Sequence, residues 1–518
     1  MLRSPYPVTL PVIVSLSFLP GVVLSLILAS PFVLIPSLML AVLAAISAVL
    51  VRHPIARIAL IGAAFFASGA GYTTARYYDE FRSPVVSHAK NTDGFEAVIM
   101  QYEGLNVLRH SHLARVTRVF ATNASIDAFG TIRLYSNAEE PFIAGDRILV
   151  RRPILLYRDL LADSDRMILD ILEKRRIYGV SSIYRRSDYL HLEHASPIAA
   201  FAQRAAFGAR SFIKRSLGTY TSGATYAITQ CFILGDKSPI SKDIMTDFQR
   251  SGTMHILSVS GLHFSMVIAI IVLLAGFIPM NSFARITLAV VVTVLVYSPM
   301  TLYVPPVMRS AVMALLLVPV MLFDRTRNLP NVLFLTLFVL LVISPKDIGD
   351  ISFLLSFVAT CSLVLIIPPL DAILRERLRV MRHPALRYVS GAVLTSVAAV
   401  IFTAPFTMHF FGTVNFTSII SNMIAVPLSF IMLSLSFLVV ATAAIPVIPV
   451  WYAAALTAVT KLFIAVNTFF AGVPLRIDGI SLPFAAAAVL SLLFVAIGIL
   501  LSIWLHRIAE NCADAEIV

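Results

Sequence analysis

Apolar residues in this chain run in membrane-length blocks. Stretches at about 12 to 29, 32 to 51 and 55 to 72 each approach the ~20 residues that a helix needs to cross a bilayer, so three closely spaced spans are expected. From Arg76 to about Ser222 the texture changes to mixed charge with no run of that length, which predicts a soluble insert of domain size. Within it, short alternating runs recur at Phe95–Tyr102, Ala114–Ala121, Gly130–Ser136 and Asp146–Tyr157, punctuated by Gly, Asn or Asp. That is strand chemistry, with Ala144-Gly145-Asp146 as a turn leading into one strand, and it predicts a small β-barrel. Ser196–Leu217 carries apolar residues on one helical face and Arg204, Arg210, Lys214 and Arg215 on the other, the pattern of an interfacial amphipathic helix. Apolar runs then resume near 255, 285, 307, 330, 351, 387, 417, 450 and 483. With the first three, twelve transmembrane helices are expected.

One stretch breaks the apolar pattern. Leu234–Met266 (LGDKSPISKDIMTDFQRSGTMHILSVSGLHFSM) opens on the turn Asp236-Lys237-Ser238-Pro239, passes through a polar amphipathic segment, and enters apolar sequence while still carrying His255, Ser258, Ser260, Gly261 and His263. Hydroxyls and imidazoles at membrane depth need a partner, which makes the cluster a candidate functional site. Ser260-Gly261 also allows close backbone approach or a local helix break, tolerated there only beside protein or a water-filled cavity. The plainer alternative has the hydroxyls bonding to carbonyls one turn back and the histidines at the interface.

Composition agrees. The chain has 518 residues, 58% hydrophobic and 13% charged, with a mean hydropathy of +0.87, which excludes a large soluble protein and marks an integral membrane one. A net charge of +12 suits an anionic partner and equally suits cytoplasmic loops. Arg52 and Arg57, the run Asp324–Arg327, and Arg375 to Arg387 fall on one side of the predicted topology, while the poorly basic loops at 297–306 and 344–350 fall on the other. The positive-inside rule therefore puts both termini in the cytoplasm and the soluble insert outside it, with the first apolar run kept as a span. Cys231, Cys361 and Cys512 are isolated, so neither a disulfide framework nor a CxxC metal site is expected. His110 and His112, and His191 and His194, form close pairs with no aspartate following at ligand spacing; they read as surface residues, with no metal and no cofactor. Tyr184, Arg185, Arg186 and Tyr189 interleave cations with rings, as a weak single-stranded nucleic-acid surface does, or as a charge-protected strand edge does.

The segment from Leu234 to His263 resembles the signature of the ComEC competence family, membrane proteins implicated in moving transforming DNA across the inner membrane. Pro305–Leu317, Asp347–Leu370 and Thr417–Leu428 are similar, in the same order, to the family's arginine-bearing helix, its phenylalanine- and serine-rich helix and its asparagine and proline segment. The resemblance is firm over about 225 to 470 and looser over the insert, where it implies an OB-like barrel outside the membrane. The expected organisation is a three-helix membrane segment at 1–75, an extracytoplasmic OB-like domain at 76–195, an amphipathic interfacial helix at 196–222, a competence-type channel domain at 223–506 and a short cytoplasmic tail at 507–518. Many members also carry a metallo-β-lactamase-like domain with an HxHxDH motif. That motif is not in this sequence, so any strand degradation is expected from a separate nuclease.

What the resemblance implies is an inner-membrane channel, not an enzyme, passing single-stranded DNA inward. Its expected partners are the bilayer, a DNA receptor and a cytoplasmic motor; self-association is left open. Such a pore offers cations and polar groups to phosphate without holding it fast. Lys237 and Arg309 are the candidate cations, and His255, Ser258, Ser260, His263 and Asn422 the candidate lining. Arg309 could equally snorkel from a helix end, and the polar set could simply bond helix to helix. Two other classes compete. An intramembrane serine hydrolase would use Ser258 or Ser260 with His255 or His263, although nothing in the sequence marks an oxyanion hole. A small-molecule transporter would show an internal repeat, and none is evident.

Overall fold

The computed structural model describes residues 10–515 except 29, 51–53, 90–91, 107–108, 122–123, 139, 162–168, 170–171, 174–175, 323–328, 369, 371–383, 446 and 481. Two units divide the chain: one comprises residues 10–208 with 337–350, the other residues 209–336 and those from 351 onward. Most of the arginine loops behind the topology argument, Asp324–Arg327 and Arg375–Arg382 together with Arg52, lie outside the described residues.

The first unit begins with α1 (Leu10–Leu28), α2 (Leu34–Leu50) and α3 (Pro54–Arg76). Glycines let α1 and α3 touch through their backbones. A Cβ on Gly21 would fall 1.9 Å from the Phe66 carbonyl oxygen, and one on Gly69 would fall 2.4 Å from that of Phe18, so any larger residue would force the helices apart. Two short helices, α4 (Tyr78–Arg82) and α5 (Val85–His88), lead to the sheet.

Three long antiparallel strands, β1 (Gly94–Asn106), β2 (Arg109–Ala121) and β3 (Ala124–Ser136), are joined by the shorter β4 (Arg147–Val150), β5 (Leu155–Leu156), β6 (Ile177–Ile183) and β7 (Tyr189–Glu193). The order is β5-β6-β3-β2-β1-β4-β7, with β6 parallel to β3. Strict alternation of buried and half-buried positions along β6 marks one face as core. Phe95, Ile99, Ile132, Leu134 and Ile148 fill that core.

The expected OB-like barrel does not close among the described residues. β5 and β7 end the ladder without pairing to each other among the described residues. The sheet is nevertheless curled. β6 and β7 stand five strand spacings apart in the order, about 24 Å if flat, while the link Tyr184–Asp188 between them reaches at most about 21 Å. Three register irregularities in the β1–β2 pairing, the first between Glu96 and Ala97, supply the bending that bulges give long strands.

His112, on β2, is wholly buried among the rings of Tyr102, His110 and Phe142. Burial, with His110 adding to it, pulls this imidazole down to about 3. Between that value and the unfolded value of about 6.5, the unfolded chain binds a proton that the folded chain refuses, so stability falls as pH drops through this window. At pH 5 the expected loss relative to pH 7 is about 2 kcal/mol. Hydrogen exchange of the β2 and β3 amides, corrected for intrinsic rate, should show it in the wild type and not in His112→Phe.

A buried ion cluster ties the sheet to the helical parts of the same unit. Glu80, 3% exposed, accepts from Arg176 at 3.3 Å, from the Tyr178 hydroxyl at 2.9 Å and from Lys346 at 3.0 Å. Arg176, which has a left-handed backbone with φ of 54°, also donates to the Leu26 carbonyl and stacks over Phe81. Burial alone would raise the Glu80 carboxyl, but Lys346 and Arg176 outweigh it and hold the group below the usual carboxylate range.

The second unit is helical: α6 (Pro197–Tyr220) enters it, followed by α7 (Gly223–Leu234), α8 (Lys242–Arg250), α9 (Met254–Leu257), α10 (Gly261–Ala275) and α11 (Ser282–Val292). Then come α12 (Pro305–Leu322), α13 (Leu329–Ile343), whose residues from 337 belong to the first unit, α14 (Ile351–Leu365), α15 (Pro384–Phe411), α16 (Thr417–Ala441), α17 (Ile448–Ala471) and α18 (Phe484–Ala515). Across both units, six helices among the described residues are long and apolar enough to cross a bilayer, and seven shorter apolar helices accompany them. The chain is a membrane protein. One of the shorter helices, α7, was not among the twelve expected: at 12 residues it is too short for a crossing, and its side chains from Ala227 to Leu234 are all buried in the core of the unit. Arg210 is a second departure. Expected on the outer face of the amphipathic helix, it is buried and donates to the Leu234 and Met300 carbonyls, the first of them at the end of α7, where orphan carbonyls need a donor.

Candidate functional site

The motif stretch folds as a chain of short elements. Gly235, at φ +75°, ends α7 with its N–H on the Cys231 carbonyl, a left-handed C-cap that glycine adopts without strain. Asp236 follows, and its carboxylate accepts from Lys214 at 2.7 Å, from Gln230 at 2.7 Å, and from both the amide and the hydroxyl of Ser238 at 3.1 and 2.6 Å. Burial would raise this carboxyl, but the Lys214 ammonium and the Ser238 donors hold it below its ordinary value. Asp236 therefore ties its loop to α6 and α7. Lys237 faces outward, exposed.

Ser241 caps α8 by accepting from the Ile244 amide. At the other end of the helix, the Asn415 side chain donates to the Gln249 and Arg250 carbonyls, at 3.2 and 2.7 Å. Gly252 must be glycine here on two counts. Its φ is +78°, and a Cβ would lie 2.6 Å from that of Ser418. The flanking hydroxyls of Ser251 and Thr253, both fully buried, bond each other and share the side-chain Oδ1 of Asn467 on α17, while Ser421 on α16 donates to the Ser251 carbonyl at 2.9 Å. Four polar residues thus anchor one turn to two long helices.

Helix α9 then stops, and the chain is extended at Ser258 and Ser260 before α10 starts at Gly261. This is a true break within the motif. His255 is exposed, with Nδ1 against the Gly252 carbonyl, and Ser258 donates to the His255 carbonyl. Ser260, at the N-cap, is hydrogen-bonded to His263 Nδ1 at 3.1 Å. The His263 ring is fully buried edge-on against Phe232, and its Nε2 has no hydrogen-bond partner among the described residues. Gly261 abuts α12, where a Cβ at this position would come within 2.4 Å of Ser310 Oγ.

Arg309, next to Ser310, is buried, donates through Nη2 to the Ser352 carbonyl at 2.7 Å and lies over the Phe353 ring. It joins α12 to α14. Asn422 sits half-buried on α16, next to Ser421, and its Oδ1 is shielded without a hydrogen-bond partner among the described residues. The fold therefore brings Asp236 to His263 into one unit with Arg309 and Asn422, linked through Gly261–Ser310 and Ser251–Ser421. Ser251, Thr253, Asn415, Ser421, Asn467 and Ser310 were not singled out from the sequence. For Asn467, a lone amide within an apolar helix was the available signal.

The aromatic-basic segment belongs to the other unit. Tyr184 is exposed, flanked by the guanidinium groups of Arg109 at 4.8 Å and Arg152 at 5.4 Å, and Arg185 and Arg186 are exposed beside it. Asp188 shapes the loop by accepting from the Tyr184 and Arg185 amides. Tyr189 turns inward instead, its ring against Phe142.

A family model described as Competence protein matches residues 232–507. Neither the curated proteins nor the solved structures contain a match to this chain.

Proposed function

Since the chain belongs to the ComEC-type competence protein family, we propose that it is a channel in the bacterial inner membrane that passes single-stranded transforming DNA into the cytoplasm. In this reading twelve helices cross the bilayer, the termini face the cytoplasm, and the sheet of residues 94–193 lies on the outer side, where Tyr184, Arg185 and Arg186 meet the strand. A DNA receptor delivers the substrate, a motor draws it in and a separate nuclease removes the complementary strand.

The observation that carries the reading is the break between α9 and α10. Extended backbone at Ser258–Ser260 within apolar sequence is stable only beside protein or a water-filled cavity, and polar positions collect around this break. Phosphate would meet exposed Lys237 and the hydroxyls there, while Arg309, engaged with Ser352, positions helices. The test is uptake of fluorescent DNA into the cytoplasm of competent cells with and without the chain: uptake should fall at least a hundredfold on deletion while DNA bound outside the inner membrane persists. Unchanged uptake defeats the proposal.

The hydrolase alternative draws on the Ser260–His263 hydrogen bond. Against it, no carboxylate orients the imidazole, since Nε2 has no partner among the described residues, whereas the triad logic needs one.

A further inference from the structure

The loop before β4 and the end of β7 bring together three side chains that the sequence keeps apart. Asp146 stands in the turn leading into β4, and His191 and His194 lie at the end of β7. One ligand atom from each falls within 4.8 Å of the others. From these residues we propose a binding site for a first-row transition-metal dication of the zinc class.

The carboxylate is preorganised. Asp146, 3% exposed, accepts from the Ile143 amide through one oxygen at 2.8 Å and from the Ala195 amide through the other at 2.9 Å. Among the described residues no lysine or arginine forms an ion pair with it. A buried carboxylate with two amide donors keeps lone pairs on both oxygens for a cation.

The histidines converge through an irregularity. In a regular strand, residues three apart face opposite sides, yet here Ile148 pairs with His191 and Arg147 with Glu193, a register shift that leaves Leu192 over. Beyond it His194 comes back onto the same side, and the two imidazoles stack at 4.7 Å between centroids. His191 Nδ1 is shielded from solvent and has no hydrogen-bond partner among the described residues, an expense that coordination would remove. His194 is exposed and free to swing, and gives the ion a way in from solvent.

Two imidazoles and one carboxylate suit zinc, with ligand bonds of about 2.0–2.2 Å and water completing the tetrahedron. From 4.8 Å the ligand atoms must close by about 1.5 Å, within the reach of a χ1 change at His194. The bound ion would fasten the edge strand β7 to the turn before β4.

The test uses the full-length chain in detergent with a histidine-free affinity tag, stripped with a chelator and titrated with zinc chloride by calorimetry. One equivalent should bind, with affinity at least tenfold weaker in His194→Ala and in His191→Ala and unchanged in His110→Ala. His194→Ala removes an exposed side chain, so folding is not at stake in that arm. Cobalt(II) added to the stripped protein should give visible absorption from a four- or five-coordinate site, and His194→Ala should lose it. The absence of a saturable equivalent, or one of equal affinity in both histidine variants, would overturn the proposal.

Discussion

Gly261→Leu is expected to abolish DNA uptake at matched membrane abundance, while Ser260→Ala should keep a large part of it. The expectation follows from the contact between α10 and α12. Even a single Cβ on Gly261 arrives 2.4 Å from Ser310 Oγ, well inside van der Waals contact, and three further carbons cannot be placed without driving the helices apart. Helix association in a bilayer rests on such close approach. The clash is specific enough to reverse. With Ser310→Ala the hydroxyl is gone and the remaining Cβ stands 3.7 Å from the new methyl, an ordinary contact, so Gly261→Ala should impair uptake alone and recover with Ser310→Ala. Removing the Ser260 hydroxyl costs only its bond to His263, worth ~1 kcal/mol. A nucleophile behaves in the opposite way, since its loss costs orders of magnitude in rate. If correctly inserted Ser260→Ala and His263→Ala are both dead, chemistry replaces the channel at this motif.

Glu80→Gln should be the most destabilising change in the unit that holds the sheet. It leaves Arg176 and Lys346, both largely buried, facing a neutral amide. Breaking a buried pair from one side costs about 3–5 kcal/mol, because the orphaned charge keeps its desolvation penalty. Membrane abundance and the melting temperature in detergent should both drop. Adding Lys346→Met to Glu80→Gln removes one of the two orphaned cations and should restore part of the loss; a double variant no better than the single would show that the cluster is not electrostatically coupled.

Much of this architecture is legible in the residue pattern. The three opening helices, the first three strand runs and the helix Pro197–Tyr220 stand where periodicity puts them, because each follows from local alternation, whereas the run Asp146–Tyr157 divides into β4 and β5 with a break between them. The helix break was signalled by Ser260-Gly261, a pair that packs small and ends helices readily. What escaped depends on partners far away in sequence. No local feature places β6 parallel to β3 or keeps the ladder open between β5 and β7. Arg210 lies on a polar face by periodicity and is drawn inward by two carbonyls, one on the following helix. His112 read as a surface residue and is instead wholly buried, because the rings of Tyr102 and Phe142 that cover it come from other segments of the chain.

The discontinuity of the sheet-bearing unit has a consequence for how the chain is made. Glu80 and Lys346 are 266 positions apart, and Tyr72 bonds the Val342 carbonyl across 270. At roughly 5–20 residues per second of synthesis, some 13–50 s separate the emergence of the carboxylate from that of its second cation. In the later part of that interval the helices from Gly261 to Leu322 are made while Glu80 has only Arg176 and Tyr178 for company. Assembly of this unit therefore finishes late, and a ribosome stalled before residue 346 would leave a protease-sensitive sheet beside helices already in the membrane.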